Sequence, residues 1–300
     1  MSGVRQRTLA KARTLLEALP YMREHFGRTV VVKLGGASLE DPRLVERFAE
    51  DVALLRMVGV RPVVVHGGGK QVTALSERLG IRPEFRDGLR VTNAETLEVA
   101  RMVLVGSVNK GLVGHVNRAG VPALGLCGED GDLLLARQRH EDLGFVGDIQ
   151  TVNVELLRHL MESAVPVLAS VATDGRGQSF NVNADDAAAA VAVALGAAKL
   201  VMLTDVPGVL RDDELVSEMA ASEAEALIDA GVVTGGMVPK LRAASASVAG
   251  GVERAHIVDG RVEHALILEL FTREGMGTML TAGAPEPPGM VVDVGEEAVS

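Results

Sequence analysis

The sequence predicts an α/β protein: a three-layer αβα sandwich around a mostly parallel open sheet, with a kinked helix at the N-terminus. Three observations point there. Short β-branched runs alternate with amphipathic segments of helical period along most of the 300 residues. Several of those runs, residues 29–34 (TVVVKL) and 199–205 (KLVMLTD) among them, are almost continuously apolar, as strands buried on both faces require. Glycines punctuate the ends of most helical segments.

The elements follow in order. The first 27 residues place Leu9, Ala12, Leu16 and Leu19 on one helical face. Their basic charge also faintly resembles a transit peptide, but no uninterrupted apolar region marks a secretory signal. Pro20 removes a backbone donor and crowds the carbonyl of Leu16, so the helix should kink or end there. Strand 29–34 runs into Gly35-Gly36. Asp41-Pro42 then reads as N-cap and first helical residue, with Leu44, Phe48, Val52 and Leu55 as the buried stripe and Gly59 as the stop. Strand 62–65 breaks into Gly67-Gly68-Gly69, followed by a helix carrying Val72, Leu75 and Leu79 and closed by Gly80. Thr92 and Glu95 form a capping box for a helix to about Val105.

Residues 121–126 read as a strand, 131–152 as short hairpin strands around Gly144 and Gly147, 153–164 as a helix and 165–171 as a strand. After a turn at Asp174-Gly175 come a helix from Ala184 to Leu195, strand 199–205 and a Pro207-Gly208 loop. A Ser222/Glu225 capping box starts a helix ending at Gly231, and another runs from Met237 to Gly250-Gly251. The last strands are expected at 255–258 and 266–271, with a loose Pro- and Glu-rich tail after Gly283.

Composition excludes several classes. Apolar residues make up 47% of the chain, enough for a large core, yet aromatics only 2%. A net charge of −10 and few stacking rings argue against a nucleic-acid partner. The single Cys rules out a disulfide framework and a four-thiolate zinc site, and fits a reducing cytoplasm. The longest apolar stretch, 187–198, falls short of the ~20 residues that span a membrane. The chain has no GxxxxGK[ST] loop, no GxGxxG turn, no HRD or DFG element, and no HExxH or paired CxxC. The seven His are scattered and most of them read as surface or capping residues, and Cys127 as a small buried hydrophobe.

Ligands of open parallel sheets bind beyond the carboxyl ends of the strands. Four such ends are unusual: Lys33-Leu34-Gly35-Gly36, His66-Gly67-Gly68-Gly69-Lys70, Thr204-Asp205-Val206-Pro207-Gly208, and the turn Asn181-Val182-Asn183-Ala184-Asp185-Asp186. Two adjacent glycine loops let backbone N–H groups approach two anions held close together. Lys33 in an apolar strand either snorkels at a sheet edge or faces an anion, because a lone buried ammonium is costly. Lys240 sits in the first turn of a helix, where the dipole disfavours a cation unless solvent or an external anion compensates. Asp185 either caps its helix or lies between the two lysines. Arg90 suits bidentate capture of a carboxylate.

With KLGG (33–36), VHGGG (65–69), GLRVT (88–92), NVNAD (181–185), LTDVPGVL (203–210) and TGGMVPK (234–240) in this order, the chain resembles the amino acid kinase family over about residues 10–282. It is most similar to the arginine-inhibited branch that acts on acetylglutamate. The resemblance implies ATP-dependent phosphorylation of the γ-carboxylate of N-acetyl-L-glutamate, with magnesium held by ATP and by no protein side chain. It implies Lys33 and Lys240 at the transferring phosphoryl group and Asp185 positioning them. Gly68, Gly69, Arg90 and Asn181 would meet acetylglutamate. Gly35, Gly36, Asp205, Gly208, Leu210 and Thr234 would meet ATP. Tyr21, His264, Glu269 and Gly277 would form an arginine site.

It further implies an oligomerisation helix at 1–27, an acetylglutamate and dimerisation lobe at 28–197, a nucleotide lobe at 198–283 and a flexible tail at 284–300. The assembly would be a hexamer, a trimer of dimers, in the cytoplasm, with no nucleic-acid or membrane partner. Same-fold kinases of another carboxylate or carbamate, such as carrier-bound aminoadipate, and an idle nucleotide or arginine sensor are the alternatives. One departure stands out: relatives commonly carry Lys where Glu129 precedes Asp130.

Overall fold

The computed structural model describes residues 3–283 other than Asp87 and Glu274; the tail at 284–300 lies outside them. Helix α1 (Gly3–His25) continues through Pro20. Then follow β1 (Thr29–Leu34), α2 (Pro42–Met57), β2 (Arg61–His66), α3 (Gly69–Arg78), α4 (Ala94–Arg101) and α5 (Asn109–Arg118). The middle of the chain forms β3 (Ala123–Leu126), α6 (Val154–Ser163), β4 (Val165–Ala169) and α7 (Ala184–Leu195). The rest forms β5 (Lys199–Thr204), β6 (Glu218–Ala220), α8 (Ala224–Asp229), α9 (Met237–Ala249), β7 (Arg254–Asp259), α10 (Ala265–Phe271) and β8 (Thr278–Thr281).

The eight strands form one sheet in the order β6-β8-β7-β5-β1-β2-β4-β3. Neighbours from β7 across to β3 are parallel. Only β8 against β7 is antiparallel, and β6 runs parallel to β8. Strand β1 lies at the centre, with Lys33 level with Met202 of β5 and Val65 of β2. Its side chains alternate between two cores. Val31 belongs to the core shared with α6, α7, α8 and α9, and Val30 and Val32 to the core shared with α2, α5 and α10. All three are fully buried, each contributing about 1.5–3 kcal/mol of transfer free energy. Burial on both faces is the physical reason these runs do not alternate. A second sheet is formed by four short strands, Leu134–Gln138, Gly147–Val152, Val171–Thr173 and Ser179–Asn181.

Four local expectations are corrected. Residues 265–271 are helix α10, and the last strand is β8. Ala265, Leu266, Glu269 and Leu270 are buried, a helical spacing hidden inside a short apolar run. The cap of α4 is Asn93, whose side chain accepts from Thr96 N, not Thr92. That helix does not stop near Val105: it passes through a π-helical segment, Met102–Val108, into α5. Glu223, not a Ser222/Glu225 box, reaches back to Ala220 N ahead of α8.

Asp41 does cap α2, accepting from Arg43 N with Pro42 at the first helical position. Three of the seven His, namely His25, His66 and His256, are buried. Leu16 and Leu19 of α1 are exposed. No helix among the described residues is long and apolar enough to cross a membrane.

Candidate active site

The candidate site lies beyond the carboxyl ends of β1, β2 and β5. One cavity, of about 210 Å³, has Gly67–Gly69 as its floor and Lys33, Arg90, Asn181 and Asp185 around it. Lys33 Nζ stands 2.7 Å from Asp185 Oδ1, with each side chain only 7% exposed. Asp185 is available for this pair because Asn183 is the N-cap of α7: its Oδ1 accepts from Asp185 N at 2.7 Å and Asp186 N at 3.3 Å. The capping role open to Asp185 in the sequence therefore falls to Asn183. A Cβ at Gly35 would lie 2.8 Å from Lys33 Nζ, so glycine there keeps the ammonium in place.

Arg90 closes the other end. Its Nη2 donates to Gly69 O at 2.8 Å and to Thr73 Oγ1 at 2.7 Å, and the guanidinium lies 4.7 Å above the Phe85 ring. Its Nη1 is buried without a partner, and burial lowers its pKa from the ordinary value. A buried free donor on a fixed guanidinium fits an incoming carboxylate. Asn181 Nδ2 donates to Thr92 Oγ1 at 3.1 Å, and that hydroxyl donates to Arg90 O at 2.9 Å, which ties the wall together.

A second cavity, of about 480 Å³, is lined by Asp205, Gly208, Leu210, Thr234, Gly236 and Lys240 among others. Its mixture of apolar and polar lining suits a nucleotide. The two cavities meet at Gly36, which has φ +63 and where a Cβ would lie 3.6 Å from Asp205 Cγ. Gly35 and Gly36 themselves line the first cavity. Lys240 Nζ donates to Gly236 O at 3.0 Å and is exposed. The structure thus brings Lys33 and Asp185 together and leaves Lys240 in the neighbouring cavity, away from that ion pair.

Of the four expected arginine-site residues, Tyr21, Glu269 and Gly277 line a third cavity, of about 300 Å³. His264 is elsewhere: its Nδ1 is 2.6 Å from Asp51 Oδ1. Burial raises the Asp51 carboxyl to about 6. Burial, the largest single influence, pushes Glu269 upward, but its hydrogen bond and charge contact with His256 (2.5 Å), the Met276 N–H and the Lys199 ammonium together hold it below the ordinary value.

Sequence reasoning passed over the support of the glycine floor. His66 Nδ1 lies 2.8 Å from Gly67 O. Its Nε2 lies 3.0 Å from Asn109 Nδ2, which also donates to Val167 O at 2.9 Å. Burial lowers the His66 pKa to about 4, so the ring is neutral, donating from Nδ1 and accepting at Nε2. A polar residue directly before three glycines was the available signal. Glu129, the departure noted above, accepts from Ser179 Oγ and from Arg101 Nη2 at 2.9 Å; it braces the short strand that carries Asn181.

The model of the amino acid kinase family matches residues 28–259. The acetylglutamate kinase of Nostoc punctiforme is 49% identical over 92% of this chain and 95% of its own length. That of Acaryochloris marina is 49% identical over 91% and 98%. Among solved structures, N-acetylglutamate synthase from Neisseria gonorrhoeae, complexed with coenzyme A and N-acetyl-glutamate, superposes with a TM-score of 0.82 at 30% identity over 91% of this chain. The chain spans 64% of that synthase. Carbamate kinase from Giardia lamblia, at 18% identity and a TM-score of 0.64 over 86% of this chain and 99% of its own, shares the fold. With the family's match covering most of its length and the sheet, glycine loops and lysines in place, this chain belongs to the amino acid kinase family.

Proposed function

We propose that this protein transfers the γ-phosphoryl group of ATP to the γ-carboxylate of N-acetyl-L-glutamate, a step of arginine biosynthesis in the cytoplasm. The observation that carries the reading is the acceptor cavity, in which Arg90 with a free buried N–H and Lys33 stand at opposite ends of three glycines. A dicarboxylate is the complementary ligand. Near-full-length similarity to acetylglutamate kinases supports the same acceptor.

The γ-carboxylate is already ionised at neutral pH, since Glu titrates near ~4.3, so the reaction needs no general base. Its oxygen attacks the γ-phosphorus, the bond to the ADP oxygen breaks, and an acyl phosphate forms. The obstacle is an anion approaching a polyanion. Lys33, held by Asp185, neutralises the acceptor side. Lys240, tied only to Gly236 O in the structure, has the reach to meet the migrating phosphoryl group from the donor side. Backbone N–H groups of Gly35, Gly36 and Gly68 add donors where charge develops. Magnesium carried by ATP would offset the charge of the phosphates.

Residues 28–197 serve as the acceptor lobe and 198–283 as the nucleotide lobe in this reading. Arginine as an inhibitor fits the third cavity, whose lining holds Glu218 as a carboxylate for a guanidinium, besides Glu24 and Glu269, which already engage Arg254 and His256, and the cations Lys199 and Arg273 for a carboxylate. A hexamer built through α1 is the matching assembly, and sedimentation of a variant lacking residues 1–26 as dimers would support it; unchanged hexamers would count against it. The activity is tested by incubating the protein with ATP, hydroxylamine and a panel of acceptors including acetylglutamate, aspartate, aminoadipate and carbamate. Hydroxamate is expected with acetylglutamate, and its absence refutes the reading.

A further inference from the structure

The acceptor cavity carries a feature that the transfer chemistry does not use. The three floor glycines each face a different neighbour. A Cβ on Gly67 would lie 3.3 Å from Ala184 Cβ, beside the Lys33–Asp185 pair. Gly69 is the residue whose carbonyl Arg90 holds. Between them, a Cβ on Gly68 would lie 2.7 Å from Leu104 Cδ2. The floor therefore has a cation at each end and an apolar side chain at its middle.

Leu104 belongs to the π-helical segment Met102–Val108. An extra residue per turn changes which side chains a helix turns inward, and such segments gather at functional sites. Leu104 is 3% exposed and lines the cavity together with Val72. Both belong to a small separate core with Val99, Val103 and Val171, so the wall has a packed backing and cannot give way freely.

The geometry points to Leu104 as the residue that measures the N-acyl group of the acceptor. This rests on the function proposed above. With the γ-carboxylate at Lys33 and the α-carboxylate at Arg90, the acylated nitrogen branches from the carbon beside the α-carboxylate, and its substituent falls against Leu104 at Gly68, one residue from the carbonyl that Arg90 holds. An acetyl methyl matches an apolar wall. A free α-ammonium would lose its hydration there without a partner, so unacylated glutamate is rejected, and longer acyl chains collide with the leucine.

The test uses the full chain and N-acetyl-, N-propionyl- and N-butyryl-L-glutamate, by hydroxamate formation and by equilibrium binding without ATP. One methylene in an apolar pocket changes kcat/KM by roughly 10–200-fold. The wild type should prefer acetyl to propionyl by at least about 10-fold, and Leu104→Ala should reduce or reverse that ratio by about 10-fold or more. Should Leu104→Ala fail to fold, Leu104→Val should shift the ratio the same way by a smaller factor. Leu79→Ala, at an exposed position at the end of α3, should leave it unchanged. An acyl preference that does not move in the folded Leu104 variants, in binding or in turnover, overturns the inference while acetylglutamate kinase activity stands. A wild type that phosphorylates none of the three overturns both.

Discussion

Replacing Asp185 by Asn separates the structural from the chemical part of the buried pair. The ammonium and carboxylate are 2.7 Å apart and each side chain is 7% exposed. At an effective dielectric of about 20, their attraction amounts to about 6 kcal/mol. Desolvating the two ions costs several kcal/mol each, so the intact pair contributes little net stability. Removing one partner is different, because the other charge stays buried and uncompensated at a cost of about 3–5 kcal/mol. Asp185→Asn should therefore lose about that much in urea unfolding at pH 7, with an unchanged denaturant slope. The double variant Lys33→Met/Asp185→Leu removes both charges and should recover most of the loss. Neither variant should form acyl phosphate at a measurable rate. A single variant as stable as the wild type, or a double variant as weak as the single, would refute this account of how the pair is held.

The other expectations can be checked with the same assays. Lys240→Ala should lower turnover by roughly 10²–10³-fold, the usual cost of losing one donor to developing charge, and leave the unfolding curve unchanged, since its Nζ is exposed and bonded only to Gly236 O. Near-normal turnover would remove Lys240 from the mechanism. Arg90→Lys should raise KM for acetylglutamate by roughly 10–100-fold without changing KM for ATP, because an ammonium cannot reproduce the fork that holds Gly69 O and presents a second nitrogen; equal changes in both constants would contradict the assignment. The His66 pKa, lowered to about 4 by burial, makes stability depend on pH with a definite sign. Between pH 6.5 and 4 the unfolded chain binds a proton that the folded one refuses, so this residue's stabilisation is complete above about 6.5 and shrinks as the pH falls. It should account for about 2 kcal/mol of loss between pH 7 and pH 5, and His66→Gln should flatten the slope by that amount; an equally steep slope in the variant would show that His66 is not the group responsible.

Most of the sheet was legible because its strands are buried on both faces, which leaves an uninterrupted apolar signature such as TVVVKL or KLVMLT. The helices with local caps, α2 with Asp41-Pro42 for instance, were legible for the same reason: the signal is contained in a few neighbouring residues. What escaped is decided at a distance. The run ALILELF is short and almost wholly apolar, so its helical spacing emerges only when the structure shows Ala265, Leu266, Glu269 and Leu270 on the buried face, with Glu269 meeting His256. The short strands Ser179–Asn181 and Glu218–Ala220 exist only through their partners. At the site, chemically conspicuous residues such as Lys33, Arg90 and Asp185 were visible as polar groups in unlikely places. Asn183 and His66 stood inside the flagged loops, but their supporting roles, like that of Asn109, become readable only from their hydrogen-bond partners.

The two helices that flank the cleft differ in how their first turns are charged. At the start of α7, the amide end is capped by Asn183 and carries Asp185 and Asp186 in its first turn; at the start of α9 no acidic side chain is present, and Lys240 adds a cation. The partial positive charge of one helix is thus spent internally, and that of the other is on offer. The two walls of the cleft therefore differ in sign at their helix ends: α7 meets it with amides matched by its own carboxylates, α9 with uncompensated amides and an added ammonium.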